Sequence, residues 1–192
     1  MADKKDENFR SWYLNDGRKF CLKAGIKPGA RIFEFGAGPG TYTVPLSQAA
    51  GNKGIVYAAE CDKDKLKELK EKIETYRSEN VRIYDTKGKI DAGFGEEFDF
   101  ALIYDVAHYF GADDRKKLYS MIYGILKKGG VFSLFPKHRL NDPGASGDFG
   151  KMGWLQVKKE VLDRGFKYHK TVVSRIPHAG NFKNERLMHF IK

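Results

Sequence analysis

The chain has 192 residues, 41% of them hydrophobic and 31% charged, with a formal net charge of +10; that composition fits one globular domain able to bury roughly 70% of its unfolded surface. No apolar run approaches the ~20 residues that cross a bilayer, and the charged start Met1–Asn8 lacks the apolar stretch of a secretory signal, so a cytoplasmic protein is expected. Cys21 and Cys61 make neither a disulfide framework nor a CxxC pair, and the histidines at 108, 138, 169, 178 and 189 show no HxxxH or HxH spacing, so no dedicated metal site is expected.

Residues 7–25 read as a helical lead-in, with Phe9, Trp12, Tyr13, Phe20 and Leu22 set among charges, until Lys27-Pro28-Gly29 breaks it. Arg31–Phe35 is a first strand. Thr41–Ala50 can be helical, with Pro45 restricting its regularity. The turn Gly51–Gly54 leads to a buried-type strand, Ile55–Ala59. Asp62 can cap a helix reaching about Tyr76, whose Leu66, Leu69, Ile73 and Tyr76 share a face. Val81–Tyr84 is a third strand ending at Asp85, and an optional helix follows it. Phe98–Tyr104, almost wholly apolar, is a fourth and suits a parallel strand covered on both faces.

Leu118, Met121, Ile122, Ile125 and Leu126 keep helical spacing. Asp113 or Asp114 is expected to start that helix and Gly129-Gly130 to stop it. Val131–Phe135 is strand five. Asn141–Gly150, punctuated by Pro143, Gly144, Ser146 and Gly147, reads as a mobile loop. A last helix, Trp154–Asp163, precedes strands at 166–176 and 186–191, joined by a turn through Pro177–Asn181.

Alternating strands and helices predict a single-domain α/β fold, doubly wound, with a mostly parallel seven-stranded sheet and a C-terminal antiparallel hairpin. Residues 1–27 would be its helical lead-in or lid and 28–192 its catalytic core. Charge is uneven along the chain: residues 1–112 hold 18 basic and 18 acidic side chains, and residues 113–192 hold 17 and 7. The basic half fits an anionic substrate, a nucleic acid, or a solvated surface alone.

The most informative stretch is Arg31–Thr41, an apolar strand carrying Glu34 and followed by Gly36, Gly38 and Gly40. Glycines so spaced let the chain turn sharply from strand to helix with its backbone close to a ligand. Free N–H groups at a helix start favour an anionic ligand group. Glu60 closes the next apolar run, and Asp85 and Asp105 close the third and fourth.

From about residue 28 onward the chain resembles the class I S-adenosylmethionine-dependent methyltransferases. The matching pieces are Glu34–Gly40, Val56–Glu60, Asp85, Phe98–Asp105 and Leu126–Phe132, where Lys128 stands in the family's proline position. The first two look most like the ubiquinone/menaquinone-type and small-molecule methyltransferase group. The resemblance implies S-adenosylmethionine as cofactor. Gly36, Ala37, Gly38 and Gly40 would meet its methionine part, and Glu34 its ammonium group. Glu60 would accept from both ribose hydroxyls, with Cys61 beside it. Asp85 and Thr86 would meet the adenine, and Tyr104 and Asp105 would line the methionine end. Trp12 and Tyr13 are placed either as a lid or as core packing.

Methyl transfer needs positioning above all, and a base only where the acceptor arrives protonated. His108, after strand four, is the first candidate base, and His138, after strand five, is the second. A small-molecule acceptor is the expected partner. An RNA-directed enzyme using the basic half, and a non-catalytic S-adenosylmethionine-binding protein, are the alternatives. A dinucleotide-dependent oxidoreductase would need glycine at 41, which is Thr41, and has no place for Glu34.

Overall fold

The computed structural model describes residues 2–91 and 93–192. Its elements are α1 (Ala2–Ser11), a π-helical turn (Trp12–Asp16), α2 (Gly17–Ala24), β1 (Arg31–Phe35), α3 (Thr43–Ala50), β2 (Ile55–Glu60), α4 (Lys63–Thr75) and β3 (Val81–Asp85). After these come β4 (Phe98–Tyr104), a short 3-10 turn (Ala107–Tyr109), α5 (Ala112–Ile125), β5 (Leu126–Phe135), a second 3-10 turn (Phe149–Lys151), α6 (Trp154–Leu162), β6 (Lys167–His178) and β7 (Asn181–Ile191). The strands form one seven-stranded sheet in the order β3-β2-β1-β4-β5-β7-β6. β1 with β2, β2 with β3, and β4 with β5 pair in parallel, and β5 with β7 antiparallel. This is the doubly wound, mostly parallel α/β fold with an antiparallel C-terminal hairpin. Among the described residues no helix is long and apolar enough to cross a membrane.

The chain divides into two compact units. The first comprises residues up to Asp85 together with Val172–Arg186. β1 and β2 are apolar because both their faces are covered; Ile32, Phe33, Val56, Ala58 and Ala59 are all fully buried. The lead-in packs through Trp12 and Tyr13, which are buried, and a π-helical turn interrupts its helix there. Trp12 Nε1 donates to the Thr41 carbonyl at 2.8 Å, and Lys72 Nζ donates to the Tyr13 hydroxyl at 3.1 Å. Gly17 lets α2 come close to α3, since a Cβ there would lie 2.5 Å from Pro45 Cγ. The hairpin tip belongs to the same unit. Phe182 meets Phe9 and Trp12 with ring centroids 5.0 and 5.7 Å apart. The tip turns on Ala179 and Gly180, whose φ of 46° and 73° match a two-residue hairpin turn of type I′.

The second unit comprises Thr86–Thr171 and Leu187–Lys192. The optional helix before β4 is absent among the described residues, where Gly88 and Gly93 at φ 77° and 65° break any helical path. Gly129-Gly130 does not stop α5 as expected. The helix ends at Ile125, and Leu126 is already buried in β5, opposite Phe98. The register then shifts between Phe98 and Phe100, and the two glycines serve that bulge. Gly129 sits at φ 80°, and a Cβ on Gly130 would lie 2.9 Å from the Lys127 carbonyl. Asp113 and Asp114 lie in the first turn of α5, and Gly111 takes the N-cap position.

Arg115 ties this unit together from a position 1% exposed. Its Nε and Nη2 donate to the two oxygens of Glu160 at 2.9 and 2.7 Å. Its Nη1 donates to the Phe110 carbonyl at 2.7 Å and to Asp148 at 3.1 Å. The loop read as mobile is thus pinned at Asp148, and Phe149 and Gly150 behind it are buried.

His189 of β7 is also fully buried, and neither of its ring nitrogens has a hydrogen-bond partner among the described residues. Burial, aided by Lys170 and His169, pushes its pKa from 6.5 down to about 4. Between those values the unfolded imidazole binds a proton that the folded one refuses, so stability falls as pH drops through that window. His189→Leu should therefore flatten the decline in melting temperature between pH 6.5 and 4. The difference from wild type should reach at most about 1.4 kcal/mol per pH unit, read from melts at half-unit steps.

Candidate functional site

In the first unit the site begins at the end of β1. Glu34 is 3% exposed. Beyond it, Gly36, Gly38 and Gly40 take φ of 77°, 55° and 82°, the left-handed region that glycine enters without a Cβ clash. The turn is fastened to β2 from two sides. Gly36 and Ala37 both donate to the Ala59 carbonyl, at 2.8 and 2.9 Å. Gly38 N–H donates to Glu60 Oε2 at 2.7 Å. The other Glu60 oxygen accepts from Cys61 N–H at 2.7 Å and Asp62 N–H at 3.0 Å. Asp62 caps α4 by accepting from the N–H groups of Asp64 and Lys65.

Glu60 thus takes three N–H groups, and a carboxylate offers about four acceptor positions. One ligand hydroxyl fits beside these bonds; a second would have to displace one of them.

Glu34 is arranged differently. Its Oε2 accepts from the Thr43 hydroxyl at 2.6 Å, and its Oε1 has no hydrogen bond among the described residues. Burial raises its pKa to about 8, the Thr43 bond opposing and the Glu60 charge adding to the rise. A buried carboxyl with an open oxygen and no cation suits a positively charged ligand group. The chemistry of this set, a glycine turn between two buried acids, fits a ligand bearing an ammonium and a hydroxylated sugar. Asp85 stands level with Glu60 across the β2–β3 pairing and is exposed, as is Cys61. Thr43 is the residue that sequence reasoning missed. It lies nine positions past Glu34 on another element, and no spacing rule joins the two.

In the second unit the expected residues separate. Thr86 is buried, its carbonyl accepting from Lys89 N–H at 2.9 Å. The Tyr104 hydroxyl is engaged with Ser133 Oγ at 2.7 Å in the core. Asp105, His108 and His138 do come together. Asp105 Oδ1 lies 3.6 Å from His108 Nδ1 and 3.4 Å from His138 Nε2, and the two imidazole rings sit 4.4 Å apart. His138 Nδ1 is 2.7 Å from the Pro143 carbonyl. A carbonyl only accepts, so Nδ1 carries a hydrogen, and in the neutral ring Nε2 holds the lone pair. That nitrogen faces Asp105.

Residues 33–132 match the family model described as a methyltransferase domain. A probable cobalt-precorrin-6B C(15)-methyltransferase (decarboxylating) of Sulfurisphaera tokodaii is 36% identical over 63 residues, 33% of each protein. The catalytic subunit of a tRNA (adenine(58)-N(1))-methyltransferase of Yarrowia lipolytica is 30% identical over 69 residues, 36% of this chain and 18% of that protein. The chain therefore matches a third or less of the length of these curated relatives. In fold it is similar to a SAM-dependent methyltransferase from Aquifex aeolicus, with TM-score 0.73, 18% identity, and coverage of 100% of this chain and 98% of that one. Magnesium protoporphyrin IX methyltransferase of Synechocystis, solved with bound SAM, gives TM-score 0.67 at 16% identity over 100% and 84% of the chains.

Gly144 is the position on which the His138 geometry turns. It sits at φ 75°, and a Cβ there would lie 2.8 Å from His138 Nδ1. Gly144→Ala should break the Nδ1–H bond to Pro143 and shift the imidazole nitrogen resonances of His138 in NMR spectra. Stability should fall by only about 1–2 kcal/mol, the cost of a Cβ in the left-handed region.

Proposed function

The chain belongs to the methyltransferase-domain family, and we propose that it is an S-adenosylmethionine-dependent enzyme of class I acting on a small-molecule acceptor. The observation that carries this reading is the pair of buried acids around the glycine turn. Glu34 offers an open oxygen to the cofactor's ammonium, and Glu60 a remaining acceptor position to its ribose. The backbone of Gly36, Ala37, Gly38 and Gly40 would lie against the methionine part, with Cys61 and Asp85 toward the adenosyl part. When bound, S-adenosylmethionine supplies a methyl group on a sulfonium, a strong leaving group for in-line displacement.

The protein's own part is then to orient and, for a protonated acceptor, to take a proton. His108 and then His138 are the candidates for that task, each with a ring nitrogen near Asp105 Oδ1. The whole chain is assigned to one catalytic domain.

A second reading, an RNA-directed enzyme, draws on the exposed run Lys167-Tyr168-His169-Lys170, where Lys158 Nζ lies 3.5 Å from the Tyr168 ring centroid. It also draws on the likeness to the tRNA methyltransferase subunit.

Calorimetric titration with S-adenosylhomocysteine, NAD and NADP is the test, on wild type and Glu60→Ala. The first ligand alone should bind, and the variant should weaken it by about tenfold or more, the loss of a charged hydrogen-bonding partner. Preference for a dinucleotide would overturn the reading. Salt-sensitive binding of transfer RNA would move the acceptor to the second one.

A further inference from the structure

We propose that Thr43 is a positioning residue for Glu34, and that the pair makes the site accept a cationic ligand group in exchange for the Glu34 proton. This rests on the cofactor reading above and adds to it a proton that no sequence feature announces.

Three observations converge. Glu34 is enclosed, with 3% of its surface exposed, and its one hydrogen bond comes from Thr43 Oγ1. The groups facing it are all neutral or negative. Thr43 approaches from α3, Cys21 from α2 and Glu60 from β2. Burial and Glu34 itself push the Cys21 thiol up, so it brings no balancing charge. Glu60 is held by three backbone N–H groups and cannot swing away without releasing the glycine turn.

A carboxyl in such surroundings keeps its proton near neutrality, as its value of about 8 reflects. An arriving ammonium changes the balance. It favours the carboxylate, the O–H bond of Glu34 breaks, and the proton leaves to solvent while the ammonium keeps its own. Thr43 matters because a hydroxyl donating to Oε2 stabilises the carboxylate and fixes its rotamer, leaving Oε1 to the ligand. Without that donor the proton is held more tightly, and the ligand must displace it at greater cost.

Calorimetry with S-adenosylhomocysteine in buffers of different ionisation enthalpy counts the protons released. At pH 6.5 the wild type should release about one proton per ligand, and affinity should rise about tenfold per pH unit between pH 6 and 7.5. Glu34→Gln should release none and lose the pH slope. Thr43→Val should carry the slope to higher pH and weaken binding at pH 7.5, and Thr43→Ser should restore both. Melting curves check that each variant is folded, and wild type against Glu34→Gln decides the proton count by itself if Thr43→Val is not.

Binding with no proton release would overturn the exchange while leaving the cofactor reading intact. A Thr43→Val profile identical to wild type would overturn the role of Thr43. Absence of wild-type binding at every pH would instead overturn the cofactor reading, and the exchange with it.

Discussion

The Glu60 carboxylate is the interaction on which the first unit is organised. It collects the N–H of Gly38 with one oxygen and those of Cys61 and Asp62 with the other. A turn whose three glycines all adopt left-handed backbone has little conformational preference of its own. Bonds to β2 are what give it a shape, from Glu60 at one point and the Ala59 carbonyl at another. The same carboxylate satisfies amide groups at the entry to α4, where Asp62 caps the first turn. One buried acid therefore fixes the turn after β1, the end of β2 and the start of the next helix.

Two other ionisable side chains are buried, by opposite means. Arg115 is surrounded by acceptors, with a carboxylate on one edge of its guanidinium and a carbonyl and a second carboxylate on the other. That is the condition under which a buried ion is tolerated, and removing one partner is what makes it expensive. Glu34 has one hydroxyl and no cation. A side chain selected for stability alone would be apolar at that position or would have a partner. The contrast is between a guanidinium held by its own partners and a carboxyl left with one hydroxyl donor.

The strands and the ligand-facing turn were legible because their signals are local. Continuous apolar runs marked β1, β2 and β4, the glycine spacing marked the turn, and Asp62 announced its helix as an N-cap. Local signals also misled. Gly129-Gly130 looks like a helix stop, but the burial of Leu126 against β4 ends α5 earlier, and the glycines are used in the bulge. The π-helical turn at Trp12–Asp16 serves the burial of Trp12 and Tyr13, which no propensity encodes. Thr43 and the partners of Arg115 were hidden for the same reason. They are joined by contacts between residues far apart in sequence, and their spacing carries no periodic pattern.

Besides Lys87 and Asn141, the second unit holds two non-glycine residues at positive φ where His138 and Asp105 meet. Their φ values are 63° and 58°. Aspartate and histidine enter that region more readily than most residues, yet the conformation is still uncommon. It is held from outside: Asp105 N–H donates to the Phe135 carbonyl at 3.0 Å, and the Pro143 carbonyl takes His138 Nδ1–H. Gly144 leaves room for that ring and could not do so with a side chain. Packing alone does not require two strained residues to aim a carboxylate at two imidazoles. Strained residues persist only where their neighbours hold them, and here those neighbours keep one carboxylate oxygen within 3.4 and 3.6 Å of two imidazoles.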